Sequence, residues 1–216
     1  MSERMGIQFE CDIIRRGYFP KGGGEVVLRT KPMEKILSVQ MTERGNITSV
    51  NGRCWVAGSL PIKIAQDCSN SISRILNKEL PTNATLNIAV EKEPQNIARD
   101  PGSGVLLFAE TSEGLRLGTD GLGKRGVSGQ EMGEKVAKSM ISTINTNSCV
   151  DGYMQDQLVV FMALAEGTSR IKTGPISLHT ETAIYIAEKF TKAKFVQTKN
   201  EDGSCWIECE GISYKV

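Results

Sequence analysis

The sequence lacks the residues that a zinc centre or a disulfide scaffold would need. It has one histidine among 216 residues, and its six cysteines include no Cys-X-X-Cys pair. Tetrahedral zinc sites draw four ligands from cysteine and histidine, commonly at that close spacing. The sequence therefore predicts no protein-held metal site, and it predicts reduced thiols in a protein from inside the cell.

Long apolar runs and an excess of one charge are also absent. No stretch approaches the roughly 18 apolar residues of a membrane-spanning helix. The first residues, MSERMGIQFECDI, have no basic start leading into an apolar stretch, so we expect no secretion signal. The 26 basic and 25 acidic residues give a net charge of +1. We therefore expect no membrane association, and any nucleic-acid contact has to come from a local patch.

The composition present is that of a folded protein, with 39% hydrophobic and 24% charged residues. Alternation of apolar residues predicts strands at 7–14, 25–30, 36–43, 53–57, 85–91, 105–110, 168–173, 194–198 and 205–210. Helical spacing and capping predict helices at 61–78, after the capping box that starts at Ser128, at 151–165 and at 180–190. The order predicts an α/β (α+β) protein in which a smaller α/β domain at 46–147 interrupts a larger domain formed by 1–45 and 148–216.

The single histidine, His179, stands where a predicted strand gives way to a predicted helix. Free N–H groups and the positive dipole end at a helix start favour a neutral imidazole and attract phosphate. The position therefore suits attack on phosphorus. A structural or surface histidine remains the alternative, because nothing in the neighbouring sequence separates the two interpretations.

Tyr153, Asp156 and Gln157 follow one another at i, i+3 and i+4 in the first turns of the helix predicted at 151–165. One helix face therefore presents an aromatic ring, a carboxylate and an amide together. Such a trio can hold a planar base. A polar first turn is also ordinary helix capping, so the residues alone leave both interpretations open.

Glycine and lysine segments offer weaker signals of phosphate binding. The segment from Lys21 to Gly24 can bring backbone amides close to phosphate, or it can form a plain hairpin turn. Lys124 and Arg125 form a basic pair in a predicted loop, and further lysines recur at 189, 192, 194 and 199. Both sets can meet RNA phosphates, and both are equally consistent with solvated surface.

Considered together, four segments resemble the RNA 3'-terminal phosphate cyclase family. Arg16-Gly-Tyr-Phe-Pro-Lys-Gly-Gly-Gly24 is similar to that family's RG-x-x-P-x-GGG motif. The segments at 123–127, 153–158 and 172–180 resemble further family blocks, in the family's order. The resemblance runs from end to end of the chain and is weakest between about residues 60 and 118.

The resemblance implies both a fold and a reaction. The fold would be a large domain of repeated βαβαββ units, here the end of the second repeat plus the third, with the smaller domain inserted. In the implied reaction, His179 attacks the α-phosphate of ATP with a divalent metal, Mg²⁺, assisting. AMP then passes to an RNA 3'-phosphate, and the neighbouring 2'-hydroxyl displaces it to close a 2',3'-cyclic phosphate. By match of motif, His179 is the nucleophile, and Tyr153, Asp156 and Gln157 line the nucleotide site.

The resemblance also sets the expected form, partners and location of the protein. It starts inside the family's second repeat, so we expect a truncated form that takes up AMP poorly by itself. The expected partners are ATP or AMP and RNA with a 3'-phosphate end, with no obligate protein partner, and the expected location is the nucleoplasm, with the cytoplasm as the alternative. A non-catalytic, cyclase-like ribosome-biogenesis protein is the competing function, although retention of His179 argues against it. An enolpyruvyl transferase is the third possibility, because it shares the repeated-unit fold.

Overall fold

Two separate hydrophobic cores organise the chain, which a computed structural model describes over residues 2–98 and 100–215. Within those residues a short 3₁₀ helix at Ser2–Met5 comes first. The α-helices are α1 (Lys63–Glu79), α2 (Gly129–Asn145), α3 (Gly152–Leu164) and α4 (Leu178–Phe190). The strands are β1 (Phe9–Arg15), β2 (Glu25–Thr30), β3 (Gln40–Met41), β4 (Ile47–Ala57), β5 (Thr85–Lys92), β6 (Gly102–Thr111), β7 (Arg116–Leu122), β8 (Thr168–Thr173), β9 (Lys194–Lys199) and β10 (Cys205–Glu210).

One core lies between α3, α4 and a sheet with the strand order β3-β8-β10-β9. Strand β3 pairs with β8 in parallel, and β10 pairs antiparallel with both β8 and β9. Leu158 and Met162 of α3 are buried together with Ile171 and Ile207 of the sheet. Because β3 ends at Met41 and its neighbour β8 begins at Thr168, residues 42–167 intervene between two adjacent strands.

The second core lies between α1, α2 and a sheet with the strand order β5-β4-β6-β7. Strand β4 pairs with β5 in parallel across α1, and β6 pairs antiparallel with β4 and β7. Ile72 and Leu76 of α1 and Met140 of α2 are fully buried in it. The mixed α/β class predicted from the sequence is confirmed, whereas the domain boundaries at 46 and 147 stay a prediction.

Helices α1 and α2 approach each other so closely that two glycines are required at the contact. A Cβ atom on Gly129 would collide with the Ile64 carbonyl oxygen, and one on Gly133 would collide with the Cys68 carbonyl oxygen. The two glycines are four residues apart and therefore share one face of α2. The backbone of α1 occupies the space that side chains would take.

The glycine-rich segment 17–24 closes the β1–β2 hairpin, as the hairpin interpretation of the sequence predicts. Its turn packs against the second sheet. Tyr18 lies over Gly102, where a Cβ atom would collide with the ring, and the Trp55 indole donates a hydrogen bond of 2.6 Å to the Tyr18 hydroxyl oxygen. Lys21 pairs with the buried carboxylate of Asp100 at 2.9 Å. The segment therefore anchors the hairpin to the second sheet.

Three strands differ from the sequence-based expectation. The strand expected at 36–43 is limited to Gln40–Met41, because only those two residues pair with β8. Strand β4 starts at Ile47, earlier than the expected 53, because Asn51 and Gly52 break the apolar alternation. Strand β7 was not expected, because its glycines disfavour a strand by propensity.

The start of α2 and the state of the cysteines agree with the sequence-based expectation. Ser128 and Glu131 form the predicted capping box at the start of α2. All six cysteines are free, as the sequence predicts. Among the residues that the structure describes, no helix is long and apolar enough to cross a membrane.

Candidate active site

His179 lies in the first turn of α4, which begins two residues earlier than the helix expected at 180–190. Ser177 is the N-cap residue, and its hydroxyl oxygen accepts a hydrogen bond of 3.2 Å from the Thr180 backbone N–H. The N–H groups of a helix's first turn have no intrahelical acceptor, and they carry the positive end of the helix dipole. The side chain of His179 is exposed, so its ring is accessible beside an anion-attracting helix end.

Asp151 caps the neighbouring helix, α3, and also ties it to the second sheet. One carboxylate oxygen accepts hydrogen bonds from the backbone N–H groups of Tyr153 and Met154, at 3.0 and 2.8 Å. The other oxygen accepts a 2.7 Å hydrogen bond from the N–H of Gly118 in β7. The backbone N–H of Gly118 therefore links β7 to the start of α3.

The structure brings two of the four predicted site residues to one cavity. Asp156 and His179 both line an open hollow of about 620 Å³ between α3 and α4. Its other walls are mainly apolar and include Val160, Ile186 and Phe190. A carboxylate and an imidazole therefore lie beside an apolar surface of the kind that a purine base packs against.

Tyr153 and Gln157 lie on the same helix as Asp156, and both are exposed, outside the residues that line the hollow. Hydrogen bonding to the nearby Asp120 carboxylate in β7, followed by partial burial, raises the pKa of the Tyr153 phenol. The assignment of these residues to a nucleotide site stays a prediction.

We expect the Asp120→Asn substitution to lower the pKa of Tyr153 towards its ordinary value of 10.0, because the charged acceptor that favours the protonated phenol is lost. The four tyrosines can be followed by NMR with ring-labelled tyrosine, and Tyr153→Phe assigns the signal. Asp67→Asn on α1 is the matched control and should leave the titration in place. An unchanged Tyr153 pKa in Asp120→Asn would show that Asp120 is not its partner.

Gln155 is a buried polar residue next to the site that the sequence interpretation did not single out. Its side chain is buried, with 2% exposure, and its amide bonds to the segment that leads into α4. The signal was present in the sequence, because positions 155, 158 and 162 share the apolar stripe of α3 and a polar residue within such a stripe needs a partner.

The remaining basic candidates lie on the surface. Lys124 and Arg125 are exposed in the loop after β7, and the lysines at 189, 192, 194 and 199 are exposed as well. Among residues 2–98 and 100–215 there is no group of three or more His, Cys, Asp or Glu side chains that could hold a metal ion.

Fold and site together define a class: a mixed α/β protein with an accessible histidine at a helix start, beside a carboxylate and an apolar hollow. The model of the family described as RNA 3'-terminal phosphate cyclase matches residues 1–196. The chain belongs to this family, which confirms the resemblance found in the sequence.

Curated relatives carry the name RNA 3'-terminal phosphate cyclase. The proteins from Pyrobaculum aerophilum and Drosophila melanogaster are 35% and 32% identical to this chain over 212 residues, which is 98% of it. The protein from Staphylothermus marinus is 34% identical over 216 residues. The chain spans about three fifths of the length of these relatives, at 59%, 58% and 59% respectively.

Proposed function

We propose that this chain carries the nucleotide-accepting part of an RNA 3'-terminal phosphate cyclase, in which His179 takes AMP from ATP. The observation that carries the proposal is the exposed His179 ring at the start of α4, beside Asp156 in one hollow. Family membership supplies the reaction class. The names of the relatives supply the RNA 3'-phosphate substrate.

The first step is a displacement at phosphorus. A ring nitrogen of His179 attacks the α-phosphorus of ATP, a P–N bond forms, the P–O bond to pyrophosphate breaks and pyrophosphate leaves. The unpaired N–H groups of the first turn of α4 favour the negative charge that develops on the phosphoryl oxygens. The phosphoramidate that results keeps the activation of ATP on the protein.

We propose that Tyr153, Asp156 and Gln157 seat the adenosine. They project from successive turns at the start of α3, where a phenol ring, a carboxylate and an amide offer stacking and hydrogen bonds to a purine nucleoside. The apolar walls of the hollow add area for packing the base. In the proposal the divalent cation, Mg²⁺, would enter with the phosphates of ATP, because Mg²⁺ is usually bound by substrate phosphates together with one or two carboxylates.

The second step uses the activated AMP to close the RNA end. An oxygen of the RNA 3'-phosphate attacks the phosphorus of the histidine-bound AMP, and the P–N bond breaks. The neighbouring 2'-hydroxyl then attacks the 3'-phosphorus and AMP leaves, which gives the 2',3'-cyclic phosphate. The nucleophile and the leaving group are held on one nucleotide, so proximity supplies much of the rate, and only ribose has the required hydroxyl.

The proposal also includes a location inside the cell, in the nucleoplasm. The support is that all six thiols are free, because disulfides are rare in cytosolic and nuclear proteins. Imaging of the tagged protein in cells tests this part, and its detection in the secretory pathway or the medium would contradict it.

Labelled AMP on the protein tests the proposed function. The chain is incubated with α-labelled ATP and Mg²⁺, and separately with labelled adenosine 5'-phosphorimidazolide, whose imidazole leaving group makes triphosphate contacts unnecessary. We expect about one acid-labile, base-stable label per chain on His179 with the phosphorimidazolide. We further expect an RNA with a 3'-phosphate to discharge that label and become cyclic, whereas its terminal 2'-deoxy analogue stays open.

Two outcomes would contradict the proposal. If neither donor labels the chain, His179 does not accept AMP. If the chain binds RNA tightly and remains unlabelled, the non-catalytic ribosome-biogenesis alternative is favoured.

A further inference from the structure

The amide of Gln155 lies buried in α3 with every hydrogen-bonding position occupied. Its oxygen accepts hydrogen bonds from the backbone N–H of Ser177 at 3.0 Å and from the Thr180 hydroxyl at 2.6 Å. Its nitrogen donates to the Thr173 hydroxyl oxygen and to the Pro175 carbonyl oxygen, the latter at 3.2 Å. A side-chain amide offers two donors and two acceptor positions, so this one is fully used.

These contacts hold the whole connection from β8 to α4. Thr173 ends β8, Ser177 is the N-cap of α4, and the segment between them belongs to no helix or strand. Thr173 and Thr180 are fully buried, so their hydroxyl groups cannot turn to water instead. The conformation of the connection therefore depends on one side chain of a different helix.

His179 lies inside the stretch that Gln155 fixes. The backbone of Ser177 is held two residues before it, and the side chain of Thr180 is held directly after it. Gln155 is also the residue before Asp156, which lines the hollow together with His179. Adjacent positions of α3 thus face in different directions, one towards the histidine's backbone and one towards the hollow.

We propose that Gln155 is the positioning residue for His179, setting where the imidazole stands relative to the nucleotide face of α3. The inference rests on the proposed function, because the positioned ring is the one that attacks the α-phosphorus. Gln155 itself is too deeply buried to touch a nucleotide. In-line displacement is sensitive to placement, and a shift of about 1 Å can cost about 100-fold in rate.

The test uses the fact that the chain has a single histidine, which gives one set of imidazole NMR signals. In Gln155→Met, we expect the His179 signal to broaden or to move towards the position of an unfolded peptide. We also expect the rate of labelling by the phosphorimidazolide to fall about 100-fold. Thr180→Val should reproduce both effects, whereas Thr180→Ser, which keeps the donating hydroxyl, should restore the signal and the rate.

A pH profile separates positioning from a simple loss of stability. In Gln155→Glu the carboxylate has no donor for the Thr173 hydroxyl and the Pro175 carbonyl, whereas the protonated acid regains one. The labelling rate of Gln155→Glu, divided by that of the wild type at the same pH, should therefore rise as the pH falls, whereas the same ratio for Gln155→Met should stay constant. Ile207→Val in β10, a buried position of the core that holds α3 and α4, is the control for lowered stability, and it should leave the histidine signal unchanged.

The outcomes distinguish this inference from the proposed function. An unchanged histidine signal and labelling rate in Gln155→Met would overturn the positioning role. An unlabelled wild-type chain whose histidine signal still responds to Gln155→Met would overturn the proposed function and leave the positioning role in place. Equal losses in Gln155→Met and Ile207→Val would show that stability alone controls the site.

Discussion

The His179→Asn substitution is expected to abolish AMP uptake, by at least about 1,000-fold, because loss of a covalent nucleophile costs up to roughly a million-fold in enzymes that depend on one. Asparagine retains a polar side chain and lacks the ring nitrogen that forms the P–N bond. The His179 side chain is exposed, so we expect the free energy of unfolding to change by no more than about 0.5 kcal/mol.

Protein-bound label from the phosphorimidazolide measures this effect, and urea unfolding measures the stability. Lys189→Asn, an exposed substitution in the last turn of α4, is the matched control and should label as the wild type does. Full labelling of His179→Asn would place the acceptor at another residue and would end the proposed chemistry.

The second large effect is expected for Gly133→Ala, which should lower the free energy of unfolding of the second core by about 2 kcal/mol. Overpacking costs up to about 3 kcal/mol, and better helix propensity returns about 1 kcal/mol. The added methyl group would meet the Cys68 carbonyl oxygen, which is backbone and cannot move aside as a flexible side chain does.

Each of the two four-stranded sheets has its own tryptophan, Trp55 in β4 and Trp206 in β10, so fluorescence in a Trp206→Phe background reports the second sheet during urea unfolding. Gly152→Ala makes the same chemical change in α3, at a position with no atom within 4 Å of the new methyl group, and Trp206 in a Trp55→Phe background reports its effect. It should be neutral or stabilising by up to about 1 kcal/mol. Equal effects of the two substitutions would show that α1 and α2 do not touch at Gly133.

The parts of the fold that were predictable are those fixed by neighbours in the sequence. The capping box at Ser128 and Glu131 satisfies backbone groups within one helical turn, so four residues suffice to recognise it. The placement of His179 at a helix start was equally local, because Ser177 lies only two residues before it. Such features depend on short-range geometry that any matching segment adopts.

The parts that were missed depend on contacts between distant residues. Strand β7 contains Gly118, which propensity counts against a strand and which the structure uses for a bond to Asp151. In the sequence, Gln155 is one polar residue within an apolar stripe. Its hydrogen-bond partners, Ser177 and Thr180, are known only once the fold places them beside it. No local pattern encodes either contact, because the partners are 33, 22 and 25 residues away in the sequence.

The packing of the hairpin turn changes what a match to the RG-x-x-P-x-GGG motif signifies. Its Arg16 and Lys21 are engaged by the carboxylates of Glu93 and Asp100, and Gly17 and Gly24 lie against each other's backbone. These contacts stabilise the hairpin turn, and they do not depend on which residue occupies position 179. In a genome survey, the glycine motif therefore selects proteins that share this scaffold, and the chemistry proposed for His179 extends only to those that have a histidine at the aligned position.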